Sequence, residues 1–214
     1  MTLDPQPAGT RSWLPGGRFG RVLRSPVTGG VVLGLVLLLA VLAAVGPRLF
    51  ASNAPPPIGG PFALVDGAGK PVTDRTYRGK WMLVYFGYTH CPDACPTALN
   101  DIANALDLLG PRARYVAPLF ITVDPARDTP KVMAEYAGAF GTQITGLTGT
   151  AAQIAAVEAE YKVYAVKHPE KDGDYAMDHT DIVYLMDPAG RFVTIFGGST
   201  SAQEMAKRLG AAVS

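Results

Sequence analysis

The sequence predicts an α/β domain that follows a single hydrophobic segment near the N-terminus. Continuous apolar runs over residues 81–87 and 116–124 are typical of buried parallel strands. Each run is followed by a segment whose apolar residues recur at helical spacing. Strands that alternate with helices in this way form parallel βαβ units, which places the domain in the α/β class.

The composition is apolar and almost neutral. Of the 214 residues, 48% are hydrophobic and 17% are charged, and the formal net charge is +1. No excess of positive charge indicates binding to nucleic acid. The apolar excess is high for a soluble domain and predicts a membrane segment.

The hydrophobic segment lies between Arg24 and Arg48, and no charged residue interrupts it. It reaches the ~20 residues that are needed to cross ~30 Å of hydrocarbon. A cleavable signal peptide is the alternative, but its apolar region is usually ~7–15 residues and ends in a small-x-small site. Residues 51–53 form a poor cleavage site, so we expect an uncleaved transmembrane anchor over residues 25–47.

The charges around this segment predict its orientation. Four arginines precede it and one follows it closely: Arg11, Arg18, Arg21, Arg24 and Arg48. The positive-inside rule therefore keeps the N-terminus cytoplasmic and exports the rest of the chain. We expect a single-pass protein of the bacterial inner membrane, or an equivalent membrane, whose C-terminal domain lies on the periplasmic side.

The same features divide the chain into four parts. Residues 1–24 are rich in proline, glycine and arginine and are expected to be a disordered cytoplasmic tail. The anchor follows, and the prolines and glycines of residues 48–60 predict a short linker. Residues 61–214 form the exported domain.

The first half of the domain begins with a hairpin over residues 62–73, which turns at a Gly-rich segment. The strand at 81–87 is followed by a helix over 96–109, which Gly110 ends. After the second buried strand, Thr129 and Pro130 begin another helix as N-cap and first residue.

The second half adds a short strand over 144–149 and a helix that Thr150 opens. Residues 181–198 predict a hairpin around an Asp-Pro-Ala-Gly turn, and residues 200–213 a closing helix. A parallel βαβ unit followed by an antiparallel hairpin and a helix is the thioredoxin-like pattern. The prediction is therefore a thioredoxin-like fold with an added N-terminal β-hairpin, preceded by one transmembrane helix.

Cys91 and Cys95 are the only cysteines, and they lie between the first buried strand and its helix. Pro96 fits the first helical position, which places Cys95 near the N-cap. A helix N-terminus stabilises a thiolate, so we expect a lowered pKa for Cys95. Such thiols suit electron transfer and metal binding alike, although C-x-x-x-C is wider than the redox motif C-x-x-C and favours a chelated ion.

Three histidines could complete a metal site. His90 adjoins Cys91 and is expected to point away from the sulfurs, and His168 lies in a charged loop that is expected to be solvated. His179 precedes a core strand that lies beside the cysteine turn in the thioredoxin pattern. It is either a third ligand or a histidine that is hydrogen-bonded to Asp178 or Asp181.

Two thiolates and one imidazole form a soft set of three ligands that selects copper. Structural zinc normally takes four protein ligands. Asp181 or a water molecule could supply the fourth ligand, so the residues by themselves leave zinc open.

Three blocks of sequence and the N-terminal hydrophobic segment together resemble the Sco/SenC family, over roughly residues 57–214. The blocks are YFGYTHCPDACPTAL, ITVDPARDTP and YAMDHTDIVYLMDPAGRF, beginning at Tyr85, Ile121 and Tyr175. The resemblance implies a thioredoxin fold and an exported domain. It also implies that Cys91, Cys95 and His179 bind a copper ion, as Cu(I) or Cu(II).

The resemblance further implies a metallochaperone for the assembly of cytochrome c oxidase. The implied task is delivery of copper to the dinuclear copper centre of oxidase subunit II, and the implied partners are that subunit and other copper chaperones. Asp124 and Asp128 match an acidic block of the family, which we interpret as a turn and a helix N-cap.

Three alternatives use the same cysteines differently. Cys91 and Cys95 could form a redox pair of a thiol–disulfide oxidoreductase that reduces the cysteines of the oxidase copper site. A thiol peroxidase would need a supported cysteine pocket, which Thr89 and Arg127 could imitate. A structural disulfide would close only a tiny loop and would constrain little of the unfolded chain.

Overall fold

The computed structural model describes residues 26–49, 57–141, 143–170 and 173–213, with the side chains of the first helix described over residues 30–43. The chain divides into two compact units, residues 1–55 and 56–214. The predicted tail over residues 1–24 lies outside the described residues, and so does the 50–56 part of the predicted linker.

Helix α1, Pro26–Leu49, forms over the predicted hydrophobic segment. Its described side chains over residues 30–43 are exposed. Within the part of the chain that the structure describes, no helix combines the length and the apolarity that a membrane crossing needs. The transmembrane anchor therefore stays a prediction.

The second unit is built on a seven-stranded sheet with the strand order β2-β1-β5-β4-β3-β8-β9. Strands β3, β4 and β5 are parallel, and β1, β2, β8 and β9 add antiparallel neighbours on both sides. The strands of this sheet are β1 Ala63–Asp66, β2 Pro71–Thr73, β3 Trp81–Gly87, β4 Val116–Thr122, β5 Thr145–Thr148, β8 Ile182–Met186 and β9 Phe192–Gly197.

Four helices connect and flank these strands: α2 Ala94–Leu109, α3 Pro130–Gly138, α4 Ala151–Tyr161 and α5 Ala202–Ala212. Helices α3 and α4 are capped as predicted, because the side chains of Thr129 and Thr150 accept hydrogen bonds from backbone amides of the first turn. Two short 3-10 helices, Asp74–Tyr77 and Gly110–Tyr115, were not predicted. Such short turns carry too little apolar periodicity to stand out in a sequence.

The core lies where the apolar runs predicted it. All residues of β4 are buried, and so are all residues of β3 except Trp81. Helix α2 covers one side with its buried residues, which recur at helical spacing from Cys95 to Leu109. The sheet therefore holds the C-terminal end of β3, from which the cysteine segment emerges, in a rigid position.

A second, two-stranded sheet was missed by the sequence analysis. Strands β6, Ala165–Pro169, and β7, Tyr175–His179, pair antiparallel with Ala165 opposite His179. The prediction of a charged loop around His168 is therefore wrong. This hairpin buries none of its residues fully, so its sequence lacks the apolar alternation that marks a strand with one buried face.

Gly87, the last residue of β3, leaves room for Cys95. A Cβ atom at this position would lie 2.5 Å from Cys95 Sγ and 2.9 Å from a ring carbon of Phe120. We expect Gly87→Ala to lower the free energy of unfolding by about 1–3 kcal/mol, since the packed core cannot yield freely. Denaturant unfolding of the full chain measures the change.

Gly197→Ala is the matched control, because Gly197 ends β9 and a Cβ atom there would meet nothing within 4 Å. Equal unfolding free energies for the two variants would contradict the close packing of Cys95 against Gly87.

Candidate metal site

The cysteine segment is a turn that leads directly into a helix. The amide of Cys91 donates to the carbonyl of Tyr88 at 3.2 Å, and α2 begins at Ala94. The helix therefore starts two residues before Pro96, the predicted first position. Pro96 is tolerated in the first turn because its amide would have no partner within the helix.

This start of the helix separates the environments of the two sulfurs. Cys95 lies within the first turn and has no exposed surface, whereas Cys91 precedes the helix and is half-buried. The backbone amide of Cys95 donates to Cys91 Sγ at 3.3 Å. The N-terminal end of α2 thus stabilises negative charge on Cys91.

The pKa values of the two thiols move in opposite directions. Hydrogen bonding from the Cys95 side chain is the main cause that lowers the pKa of Cys91 to about 4, and His179 and the Cys95 amide add to it. The hydrogen bond to Cys91 and burial raise the pKa of Cys95 above its ordinary value. The expectation that Cys95 has the lowered pKa is therefore wrong, because its thiol hydrogen-bonds to the Cys91 sulfur and is buried.

His179, the last residue of β7, reaches the same sulfurs from another part of the chain. Its Nε2 atom lies 3.4 Å from Cys95 Sγ, and its Nδ1 atom lies 3.2 Å from the carbonyl oxygen of Thr180. A carbonyl only accepts, so Nδ1 carries a proton, and Nε2 is the nitrogen that faces the thiols.

The electrostatic surroundings of His179 favour its protonated form in the absence of a metal. Burial by itself would lower the pKa of His179, but the hydrogen bond with Cys91 and the Thr180 carbonyl outweigh this effect. Negative charge on Cys91 and Asp181 adds to the rise, so the pKa lies above its ordinary value. Protonation and metal binding therefore compete for Nε2.

The ligand atoms of Cys91, Cys95 and His179 all lie within 4.8 Å of one another. Two donors on one ion are at most about 4.6 Å apart, since metal–sulfur bonds are ~2.3 Å long and metal–nitrogen bonds shorter. The cluster therefore fits a single ion after a small contraction. The fold brings together the three residues that the sequence analysis selected.

The other two histidines lie elsewhere. His90 is exposed, and its Nδ1 atom is 3.2 Å from Thr89 Oγ1. His168 is exposed and pairs with Asp178 at 2.8 Å. Asp178 is thus engaged by His168, and Asp181 accepts a hydrogen bond from Tyr85.

Comparison with known proteins identifies the family of this chain. The model of the SCO1/SenC family matches residues 51–214. This chain belongs to that family. The family membership confirms the resemblance that the cysteine, Asp124 and His179 blocks carried.

Solved structures of relatives share the fold. The structure of Bradyrhizobium japonicum ScoI with copper bound is 51% identical and has a TM-score of 0.68, covering 71% of this chain and 97% of that chain. The copper-bound structure of yeast Sco1 is 38% identical with a TM-score of 0.69, covering 74% of this chain and 89% of that chain. The predicted thioredoxin-like α/β architecture is confirmed by these relatives.

Curated relatives are also similar but longer. The protein sco1 of Schizosaccharomyces pombe is 40% identical over 175 residues, which is 79% of this chain and 66% of that protein. The mitochondrial SCO1 homolog of Homo sapiens is 41% identical over 71% of this chain and 51% of its own length. The matches thus span about half to two thirds of these relatives.

In this family member, Asp128 fixes the turn that carries Cys91. Its carboxylate has no exposed surface, and it accepts from the Thr89 amide at 3.1 Å, the Thr89 hydroxyl at 2.6 Å and the Thr122 hydroxyl at 2.6 Å. The N-cap of α3 is Thr129, so the interpretation of Asp128 as a cap is wrong. Thr89 and Asp128 are 39 residues apart in the sequence, and no sequence pattern indicates that they are in contact.

A second network holds the hairpin that carries His179. Arg127 forms an ion pair with Asp124, contacts Asp174 at 3.0 Å and donates to the Tyr175 carbonyl at 3.0 Å. The Tyr175 hydroxyl donates in turn to Asp124 at 2.9 Å, and the guanidinium stacks 3.6 Å from the Tyr175 ring. Arg127 thus binds the hairpin and the loop after β4 through its Nε and Nη1 atoms, and Thr89 is held by Asp128.

The opposite pKa shifts predict selective modification of Cys91. Iodoacetamide should react first at Cys91, with a rate that changes little between pH 6 and pH 8, because its thiolate is already formed. An ordinary thiol with a pKa of ~8.5 would react more than tenfold faster at pH 8 than at pH 6. Peptide mapping by mass spectrometry on the reduced, metal-free chain measures both rates.

Cys91→Ser serves as the control and should abolish the fast reaction, since Cys95 is buried. A fast reaction at Cys95 in the unmodified chain would contradict the assignment of the thiolate to Cys91.

Removal of the Asp128 carboxylate should loosen the cysteine turn. Asp128→Ala leaves the buried hydroxyl of Thr122 and the partly buried donors of Thr89 without their acceptor, which costs about 1–3 kcal/mol of stability. We also expect faster alkylation of Cys95 because the turn no longer covers it. Denaturant unfolding and peptide mapping test the two effects.

Asp187→Ala is a suitable control. Asp187 accepts from the amides of Ala189 and Arg191 in the turn between β8 and β9, at the end of β8 remote from His179. It should destabilise the chain without changing the reactivity of Cys95. Equal reactivity of Cys95 in both variants would show that Asp128 has no special effect on the site.

Proposed function

We propose that this chain is a copper metallochaperone that binds the ion through Cys91, Cys95 and His179. The observation that carries the proposal is the convergence of two sulfurs and one imidazole nitrogen within 4.8 Å. Soft thiolates with an imidazole favour copper over harder ions. Relatives with 51% and 38% identity are described with copper bound, which supports copper over zinc as the ion.

The task proposed for the bound copper is the assembly of cytochrome c oxidase. A relative of the same fold, BsSco, is described as a member of the Sco family of cytochrome c oxidase assembly proteins. Family membership supports the same role here, with oxidase subunit II as recipient and other copper chaperones as donors. Copper is then the cargo of the protein and must leave the site again.

The proposed location follows from the N-terminal sequence. The apolar side chains of α1 that the structure describes, from Val31 to Leu42, are each more than half exposed. Together with the arginines that precede the helix, they support a membrane anchor with the copper-binding unit on the periplasmic side.

A second candidate function, that of a thiol–disulfide oxidoreductase, rests on the contrast between the thiols. Half-exposed Cys91 has a pKa of about 4 and would attack a target disulfide, while buried Cys95 would resolve the mixed disulfide. Two electrons pass to the target, and Cys91 and Cys95 end as a disulfide. His179 has no essential part in this exchange.

Copper titration of the full chain and of His179→Ala separates the two functions. For a chaperone, loss of one of three ligands should weaken copper binding by more than the ~10–100-fold that loss of an outer partner costs. The copper–thiolate charge-transfer absorption should change as well. Reduction of a disulfide in a peptide that carries the cysteine pair of an oxidase copper site is measured in parallel.

His168→Ala is the matched control, because His168 is exposed and pairs only with Asp178 among the contacts described for it. Tight copper binding by His179→Ala would remove His179 from the site. Disulfide reduction that needs both cysteines, combined with weak copper binding by the unmodified chain, would favour the oxidoreductase.

A further inference from the structure

Tyr85 places a hydroxyl group beside the buried cysteine. The residue lies in the middle of β3 and has no exposed surface. Its hydroxyl donates to Asp181 Oδ1 at 3.0 Å and lies 3.8 Å from Cys95 Sγ, within hydrogen-bonding distance of a sulfur atom. One O–H group is therefore positioned between a carboxylate and a proposed copper ligand.

The strand register explains why this contact joins the two halves of the site. Tyr85 pairs with Val183 across the antiparallel β3–β8 ladder. Asp181 precedes that pair and follows His179 by two residues. The Tyr85 hydroxyl thus connects the strand end next to His179 with the sulfur of Cys95.

The rings around His179 place Tyr85 in the wall of the site as well. The Tyr85 ring lies edge-on to the His179 ring with a centroid distance of 6.2 Å and an interplanar angle of 76°. The same ring stacks on Phe120 at 6.1 Å, which fixes its plane. Because the ring is buried and packs against His179 and Phe120, the hydroxyl has little freedom to leave Cys95 or Asp181.

We propose that Tyr85 is a positioning residue for the copper site. Its hydroxyl donates a hydrogen bond to the Cys95 thiolate and shares that hydrogen bond with Asp181. The inference rests on the proposed copper function and adds to it a residue that does not bind the ion. The hydrogen bond from Tyr85 would lower the electron density on the sulfur. Asp181 would compete with the sulfur for the same hydroxyl and so weaken the hydrogen bond to Cys95.

Such a hydrogen bond has a direction of effect that can be measured. A donor to a coordinating thiolate withdraws electron density from the sulfur, and hydrogen bonding around a cysteine ligand tunes the redox potential of bound copper. Without the donor, the thiolate stabilises Cu(II) more strongly. The copper potential then falls, and the thiolate-to-copper charge-transfer band moves to lower energy.

The test compares Tyr85→Phe with the unmodified full chain after loading with copper(II). We expect one copper ion per chain in both, a band at lower energy and a lower copper potential in the variant. Tyr184→Phe is the matched control, since Tyr184 is 2% exposed and contacts Phe86 and Tyr161, and it should leave both values unchanged.

Two variants of Asp181 supply a second arm that does not depend on the folding of Tyr85→Phe. Asp181→Asn and Asp181→Ala both remove the charge, but only the asparagine retains an acceptor for the Tyr85 hydroxyl. The alanine variant should free the hydroxyl for Cys95. Its band should therefore lie at higher energy than that of the asparagine variant.

The outcomes are distinguishable. Normal copper binding with an unchanged band in Tyr85→Phe, or identical bands in the two Asp181 variants, would overturn the role of Tyr85 and leave the copper function intact. Absence of a copper–thiolate band in the unmodified chain would overturn both the proposed function and the inference that rests on it.

Discussion

The antiparallel pairing of β3 with β8 is the constraint on which the site depends. Tyr85 lies opposite Val183, so the C-terminal end of β3 lies beside the N-terminal end of β8. The cysteine turn follows the first strand and His179 precedes the second, which brings together residues that are 84 positions apart. The cysteine turn and the end of β7 both lie outside the seven-stranded sheet, so the pairing of β3 with β8 is what keeps His179 near the sulfurs.

The same geometry makes the two thiols unequal. Cys95 is enclosed by the first turn of α2, by Gly87 and by Tyr85, whereas Cys91 is half-buried and accepts a hydrogen bond from the Cys95 amide. One sulfur is therefore held in the core and the other is accessible to a partner. Copper exchange and disulfide exchange both need an accessible thiolate, so Cys91 suits both of the proposed chemistries.

Sequence reasoning succeeded where burial leaves a strong pattern and failed where contacts depend on tertiary structure. The apolar runs of β3 and β4 predicted the central sheet, and the position of His179 before a core strand predicted its approach to the cysteines. The hairpin of β6 and β7 was missed because its residues remain partly exposed. The direction of the Cys95 amide was also unpredictable, since it depends on where the helix starts. The helix begins at Ala94, two residues before the start that Pro96 indicated.

The site therefore has a rigid half and a peripheral half. Cys95 belongs to the core, but His179 ends a two-stranded hairpin, and an isolated hairpin is marginally stable in water. The contacts of Arg127 with Asp124 and with the Tyr175 carbonyl attach that hairpin to the loop after β4. The position of His179 is thus supported by an ion pair that none of the three ligands contacts, in addition to the hydrogen bond from the Met177 amide to the Tyr88 hydroxyl. In the proposed chaperone, one copper ligand would thus lie on a peripheral element and another in the core, so the release of His179 from copper would not require the core to unfold.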